Sequence, residues 1–281
     1  MNAREPEELI DIGVNLAHSS FRRDRDEVIL RAVAAGVTTM IVTGTSECGS
    51  AAGLELAGRH PGRLLFTVGV HPHNAKQCND ATIAVLRRVA EHASAVAIGE
   101  CGLDFNRDFS PRPAQERWFE AQIELACELA KPLFLHERDA HLRLTELLRP
   151  YRGRLVGAVV HCFTGTIAEL EAYLDLDLHI GITGWICDER RGTHLRELVG
   201  RIPADRLMVE TDAPFLLPRN LKPQPADRRN EPATLPHIVR EVAQATGRTF
   251  TEVAESTTNT ARAFFGLDGR AVSVRYPEDS N

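Results

Sequence analysis

The stretch AVAIGECGLD, residues 95 to 104, constrains the fold more than any other part of the chain. Four small or β-branched residues run straight into Gly99, the carboxylate of Glu100, Cys101, Gly102 and Asp104. A short apolar run that stops at a glycine-flanked acid reads as a buried parallel strand presenting one charged group at its carboxyl end. Taken alone, such an acid is more often a loop or capping residue than a functional one. Repetition changes that judgement. FTVGV ends at His71, PLFL at His136, GAVV at His161 and LMVETD at Asp212.

Read in order, the chain alternates between strand-like and helix-like segments. Strands are expected over 9–16, 37–44, 64–70, 95–104, 132–136, 157–161, 178–184 and 207–212. Between and after them come helical patterns over 24–35, closed by Gly36, and over 47–59, 81–92, 140–148 and 193–199. Another helix carries Trp118, Ala121, Leu125 and Leu129 on one face, and the last carries Leu235, Ile238, Val239, Val242 and Ala243. Thr166 opens a further helix with Glu169 three residues on, a capping-box spacing. Eight strands alternating with eight helices point to a (β/α)8 TIM barrel, with a doubly wound open sheet as runner-up because periodicity does not show closure. In a barrel, the carboxyl ends of all strands meet at one face, so Asp11, His71, Glu100, His136, His161 and Asp212 would converge there.

With 281 residues, 43% of them hydrophobic, the chain can bury one large core, and no Ser/Gly/Pro-rich or single-charge linker divides it. One domain over 1–281 is expected, with its core at about 9–266 and a polar tail at about 267–281. Cysteines 48, 78, 101, 127, 162 and 187 form no C-x-x-C pair or other zinc spacing, as expected for the reduced thiols of a cytoplasmic protein. The start of the chain is acidic, and no later run has the length to span a bilayer. The expectation is a soluble protein without membrane contact, and a monomer by default. A formal charge of -6 argues against a generally basic nucleic-acid-binding surface, though not against a local patch.

A single histidine at a strand end is more often a hydrogen-bonded structural group than a ligand. Several imidazoles and carboxylates at the ends of apolar strands are a different case. Desolvating them without partners costs several kcal/mol each, roughly, and one divalent cation satisfies them together.

The motifs DIGVN at 11–15, GVHPH at 69–73, GECGLDFNRDFS at 99–110, LHERDAH at 135–141, HCFTGT at 161–166, IGITGW at 180–185 and ETDAPFLLPR at 210–219 resemble those of the TatD-type deoxyribonucleases. The resemblance runs from about Leu9 to Gly266. It implies a metal-dependent hydrolase barrel that cleaves phosphodiesters by metal-activated water, as a magnesium-dependent 3'-5' exonuclease of single-stranded DNA, with RNA as a further substrate. It also implies that Glu100, His136 and His161 are the principal metal ligands, that Asp212 is an active-site aspartate near the attacking water, and that His71 lies near the substrate phosphate. Two imidazole ligands are unusual for Mg2+, so Mn2+ or Zn2+ binding is expected in the isolated protein even where Mg2+ supports activity. His71, if protonated, would steady a phosphate oxygen.

One departure stands in the first strand. Most relatives carry D-x-H-x-H, whereas this chain has Asp11-Ile12-Gly13-Val14-Asn15. Gly13 offers no ligand and Asn15 only a neutral carbonyl oxygen, so a second metal position is expected to be weak, or filled only with substrate present.

Substrate contacts are expected from cations in the loops after strands five, seven and eight: Arg138, Arg190, Arg191, Arg219, Lys222, Arg228 and Arg229. Each is individually as well explained as solvated surface; together they would form a phosphate-binding rim. Phe105 and Trp185 are candidates for base stacking, with core plugging as the alternative. Arg138, Trp185 and Arg219 are the preferred substrate-binding candidates, and little base preference is expected. A small-molecule amidohydrolase on the same barrel would fit the metal set, but relatives that bridge two metals commonly place a modified lysine where this chain has Glu100. A non-catalytic nucleic-acid-binding module would not need Glu100, His136, His161 and Asp212 together. A role within a protein-export complex finds no amphipathic or anchoring segment to support it.

Overall fold

In the computed structural model, which describes residues 8–268, eight parallel strands pair in the order β1 to β8. They are β1 (Leu9–Val14), β2 (Val37–Val42), β3 (Leu64–Val68), β4 (Ala95–Asp104), β5 (Leu133–Arg138), β6 (Ala158–Val160), β7 (His179–Ile182) and β8 (Leu207–Val209). Sequential order without a reversal point removes the doubly wound alternative. The two edges meet just past β8, where the Asp212 N–H donates to the Gly13 carbonyl (2.9 Å) and the Asn15 N–H to the Ala213 carbonyl (2.7 Å). The sheet therefore closes on itself as a barrel.

The outer layer consists of α1 (Arg25–Ala34), α2 (Glu47–Arg59), α3 (Thr82–Ala90), α4 (Arg112–Leu129), α5 (His141–Leu148), α6 (Ile167–Asp175), α7 (Thr193–Leu198), α8 (Leu235–Thr246) and α9 (Phe250–Phe265). At the start of α6, the Thr166 hydroxyl accepts from the Glu169 N–H and the Glu169 carboxylate accepts from the Thr166 N–H, the expected capping box. Strands buried on both faces read as near-continuous apolar runs, and the core divides accordingly. Ile10, Ile12, Ile41, Leu65, Val96, Ala97, Phe134, Val159 and Met208 fill the barrel interior. Val14, Phe66, Ile98, Leu135 and Ile180 face outward onto helix residues such as Leu56, Phe119, Ile123, Leu170 and Val239.

Helix α9 is the element the sequence pattern leaves out. Its run of threonines has modest helix propensity and blurs the apolar face. A second capping box, Thr249 with Glu252, starts it, and Gly266 in the left-handed region (φ 63°) ends it. Ala261 and Phe265 join the interior core. The Thr258 and Thr260 hydroxyls donate to the carbonyls of Glu8 and Ala204, residues ahead of β1 and β8. Helix α9 therefore seals the amino-terminal end of the barrel and leaves the carboxyl end open for chemistry.

Several strands stop short of the runs that predict them. β6 ends at Val160, before His161, and β8 ends at Val209, before Asp212. Past those ends the backbone still bonds sideways, with the His161 N–H on the Leu135 carbonyl (3.0 Å) and the Glu210 N–H on the Ile182 carbonyl (3.1 Å), so these residues stay at the barrel rim. No described helix is long and apolar enough to cross a membrane. Most of the expected polar tail lies outside the described residues.

Candidate metal centre

Glu100 and His136 are brought together by the tight pairing of β4 with β5. Gly99 and Gly102 have φ of 137° and 140°, and a Cβ on either would overlap the carbonyl oxygen of Phe134 or His136. Only glycine allows the two backbones so close. His161 follows β6, its N–H donating to the Leu135 carbonyl (3.0 Å), and the His71 N–H donates to the Thr45 carbonyl (3.0 Å). One atom collects the result: Glu100 Oε1 lies 2.7 Å from His161 Nε2, 3.0 Å from His136 Nδ1 and 3.3 Å from His71 Nε2.

Burial alone would push Glu100 up, but the His161 and His71 imidazoles and hydrogen bonds from His136 and His161 outweigh it and hold the carboxylate well below its usual range. Burial opposes charge on the histidines too, yet carboxylates raise His161 well above and His136 above the ordinary imidazole value. Glu100, His136 and His161 each offer a ligand atom within 4.8 Å of the others. One carboxylate oxygen and two imidazole nitrogens at this spacing fit a divalent ion, which would displace the protons now shared among them.

Two acids with no role in the sequence reading stand behind the imidazoles. Asp104 Oδ2 lies 3.3 Å from His136 Nε2 and 2.6 Å from His73 Nε2, while Oδ1 accepts the Asn106 and Arg107 N–H groups (3.1 and 2.8 Å). Glu210 Oε2 lies 3.4 Å from His161 Nδ1, and its Oε1 accepts the Cys162 N–H (2.6 Å). Glu210 sits two residues before Asp212 in LMVETD, so strand alternation alone could have placed both near the mouth.

His71, His73 and His136 form a second compact group. His71 Nδ1 is taken by the His73 N–H (3.1 Å), and burial pushes the ring down to about 4, so at neutral pH its remaining nitrogen is an N–H donor aimed at Glu100. His71 is thus a neutral donor, and as placed it offers no lone pair to an ion beside His73 and His136.

Asp212 lies in the mouth with a left-handed backbone (φ 53°). Burial, reinforced by Glu100 and Glu210 against the opposing pull of His161, pushes its carboxyl up to about 7. The Asn15 amide donates to its Oδ1 (2.9 Å), so Asn15 orients an acid where the sequence suggested a weak ligand. Asp11 does not join the group. Its Oδ1 accepts the N–H groups of Thr211 (3.0 Å) and Gly13 (3.3 Å), and its Oδ2 the Thr211 hydroxyl (2.5 Å). It fastens β1 to the chain after β8.

The expected rim separates into two kinds of residue. Arg138 reaches Thr164 Oγ1 (2.5 Å) at the end of β5. Arg219, Lys222, Gln224 and Arg228 line a cavity of about 320 Å³, and Arg219 Nε lies 3.8 Å from Asp188. Arg229 does not belong to the rim, because it pairs with Asp24 (2.6 Å) and Glu231 (2.7 Å) and covers the Phe21 ring. Trp185 has the Arg191 guanidinium 4.9 Å from its ring centre, and Phe105 has that of Arg112 at 4.3 Å. One face of each ring is therefore already stacked.

Comparison with known proteins agrees with this geometry. Residues 10–266 match the family model described as TatD related DNase. The chain is 54% identical over 259 residues to the 3'-5' ssDNA/RNA exonuclease TatD of Erwinia tasmaniensis, covering 92% of this chain and 100% of the relative. YJJV, a TatD homolog from Escherichia coli K12, superposes with a TM-score of 0.83 at 27% identity, covering 92% of this chain and 98% of that one. A TatD family hydrolase from Entamoeba histolytica gives 0.84 at 25% identity, with the same coverage. A barrel of this order, with a carboxylate and two imidazoles converging at its mouth and a family match across nearly every described residue, identifies the chain as a member of the TatD-related DNase family.

Proposed function

We propose that the protein is a metal-dependent 3'-5' exonuclease that hydrolyses single-stranded DNA, and RNA as well, one nucleotide at a time. The observation that carries this reading is the approach of His136 Nδ1 and His161 Nε2 to one oxygen of Glu100, at 3.0 and 2.7 Å. Glu100, His136 and His161 hold the ion, with Mg2+ as the activating metal and Mn2+ or Zn2+ able to replace it in the isolated protein. A divalent ion held there would supply positive charge to a phosphodiester and lower the pKa of water. Asp212, poised near neutrality, takes the proton of the attacking water. The neutral His71 donates its Nε2–H toward a phosphate oxygen once that oxygen displaces part of its contact with Glu100. Arg138, Arg219 and the Trp185–Arg191 stack steady the strand through phosphate and ring contacts, which carry little base preference.

The reading extends to the whole protein. The chain works as one catalytic domain, core 9–266, and as a monomer; its exposed large apolar side chains, Leu30, Phe109, Leu142, Val156 and Phe215, lie on separate elements among the described residues. All six cysteines are free thiols, in keeping with a cytoplasmic setting. The test is nucleotide release from 3'-labelled single strands. Glu100→Gln, His136→Ala and His161→Ala should each abolish metal-dependent release while circular dichroism stays near wild type. Activity surviving in two of the three overturns the proposal.

A further inference from the structure

We infer that Asp104 and Glu210 are positioning residues that, once an ion seats against Glu100, impose opposite tautomers on His136 and His161 and leave Nδ1 of the first and Nε2 of the second as the lone pairs the ion needs. The inference rests on the metal reading above and concerns the chain's own residues. A neutral imidazole has one N–H and one lone pair, and a carboxylate beside one nitrogen claims the N–H. Asp104 stands at Nε2 of His136 (3.3 Å), and Glu210 at Nδ1 of His161 (3.4 Å). The opposite nitrogens approach Glu100 Oε1 at 3.0 and 2.7 Å, and an ion bound to that oxygen would take their lone pairs, so each ring's N–H is then left to Asp104 and to Glu210.

Both acids are built to serve only as acceptors. Asp104 is buried, its Oδ1 already filled by two backbone N–H groups, so Oδ2 alone faces the histidines. Glu210 is fully buried and lies in a slot walled by glycines of β1 and β7. A Cβ on Gly13 would overlap Glu210 Oε2, and one on Gly181 would stand 2.8 Å from Oε1. Gly13 therefore has a positive task in this chain: it leaves room for the carboxylate that reaches His161. A carboxamide cannot substitute at either place. In Asp104→Asn or Glu210→Gln, the new amide keeps its oxygen on the backbone N–H groups only by turning its NH2 toward the imidazole. The ring must then accept there and carry its proton on the nitrogen that faces Glu100, where the metal needs a lone pair.

Zn2+ titration calorimetry on folded protein, together with long-range ¹H–¹⁵N NMR of the Zn2+-loaded chain, tests this. Asp104→Asn and Glu210→Gln should each weaken Zn2+ binding by about 10- to 100-fold. In the loaded wild type, the proton should sit on Nε2 of His136 and on Nδ1 of His161. Wild-type Zn2+ affinity in both folded variants, a loss of Tm with unchanged affinity, or the reverse tautomers would overturn the inference. Failure of the nuclease reading is distinguishable, because it would show as absent nucleotide release from a chain that still binds Zn2+ with these tautomers.

Discussion

Asp11 and Asp212 are both acids at or near barrel-strand ends, and their surroundings give them unlike tasks. Asp11 is enclosed, and burial pushes its carboxyl up to about 8 against hydrogen bonds from Thr211 that pull the other way. A carboxyl raised above its unfolded value of 3.8 contributes stability while protonated. That contribution is complete below about 4 and is lost as pH rises through 8. Asp11→Asn should therefore match wild-type Tm below about pH 4 and exceed it by a growing margin from there to pH 8, because the carboxamide keeps its oxygen for the backbone N–H groups and meets the Thr211 hydroxyl without a charge. Asp212 titrates to about 7, so as a proton acceptor it is competent only above that range. A cation bound at Glu100 draws it downward, and kcat/KM should therefore rise with pH along a limb centred at or below about 7. Asp212→Asn should remove the limb and lower kcat by about 10² to 10⁴. The family resemblance marked Asp212 as an active-site acid, but nothing in the strand-like runs separates it from Asp11, because the difference lies in Thr211 meeting Asp11, and Asn15 meeting Asp212, across the barrel seam.

Among the elements, β4 and α2 have the bounds their residues predict, since AVAIGECGLD is unbroken in its apolar character and α2 is framed by Ser46 and His60. Helix α9 escaped because its apolar residues are spaced among threonines, and its function depends on a surface that exists only after the barrel has closed. Phe265 is the clearest test of that function. It is nearly fully buried in the interior core, so Phe265→Ala should destabilise the fold by about 3–5 kcal/mol in urea unfolding, with nucleotide release per folded molecule unchanged. The β4–β5 contact offers a second test. Gly102→Ala places a methyl against the His136 carbonyl in a conformation that alanine rarely adopts, so β5 must shift and with it His136. Metal affinity should fall even where the protein remains folded, as calorimetry would show.

At the scale of the whole molecule, the chain brings His71, His136 and His161 around one carboxylate oxygen, and Glu100 with His136 and His161 is, of the two clustered groups among the described residues, the one that contains a carboxylate. Gly13 is filled in by Glu210, Asn15 is turned to Asp212, and the His71 nitrogens are one acceptor and one donor already engaged. Mn2+ calorimetry should accordingly give one tight site per chain, and two equally tight sites would contradict this arrangement. The sequence by itself determined the alternation of strands and helices, the barrel those imply, and the chemistry at the strand ends, because hydrophobic period and residue type are properties of the chain read along its length. Only the tertiary structure decided which nitrogen of each imidazole faces Glu100, which acids stand behind them, why Gly13 is a glycine, and how the amino-terminal end is sealed. Those depend on register and side-chain direction between strands, which are fixed when the edges of the sheet meet and are encoded in no single segment.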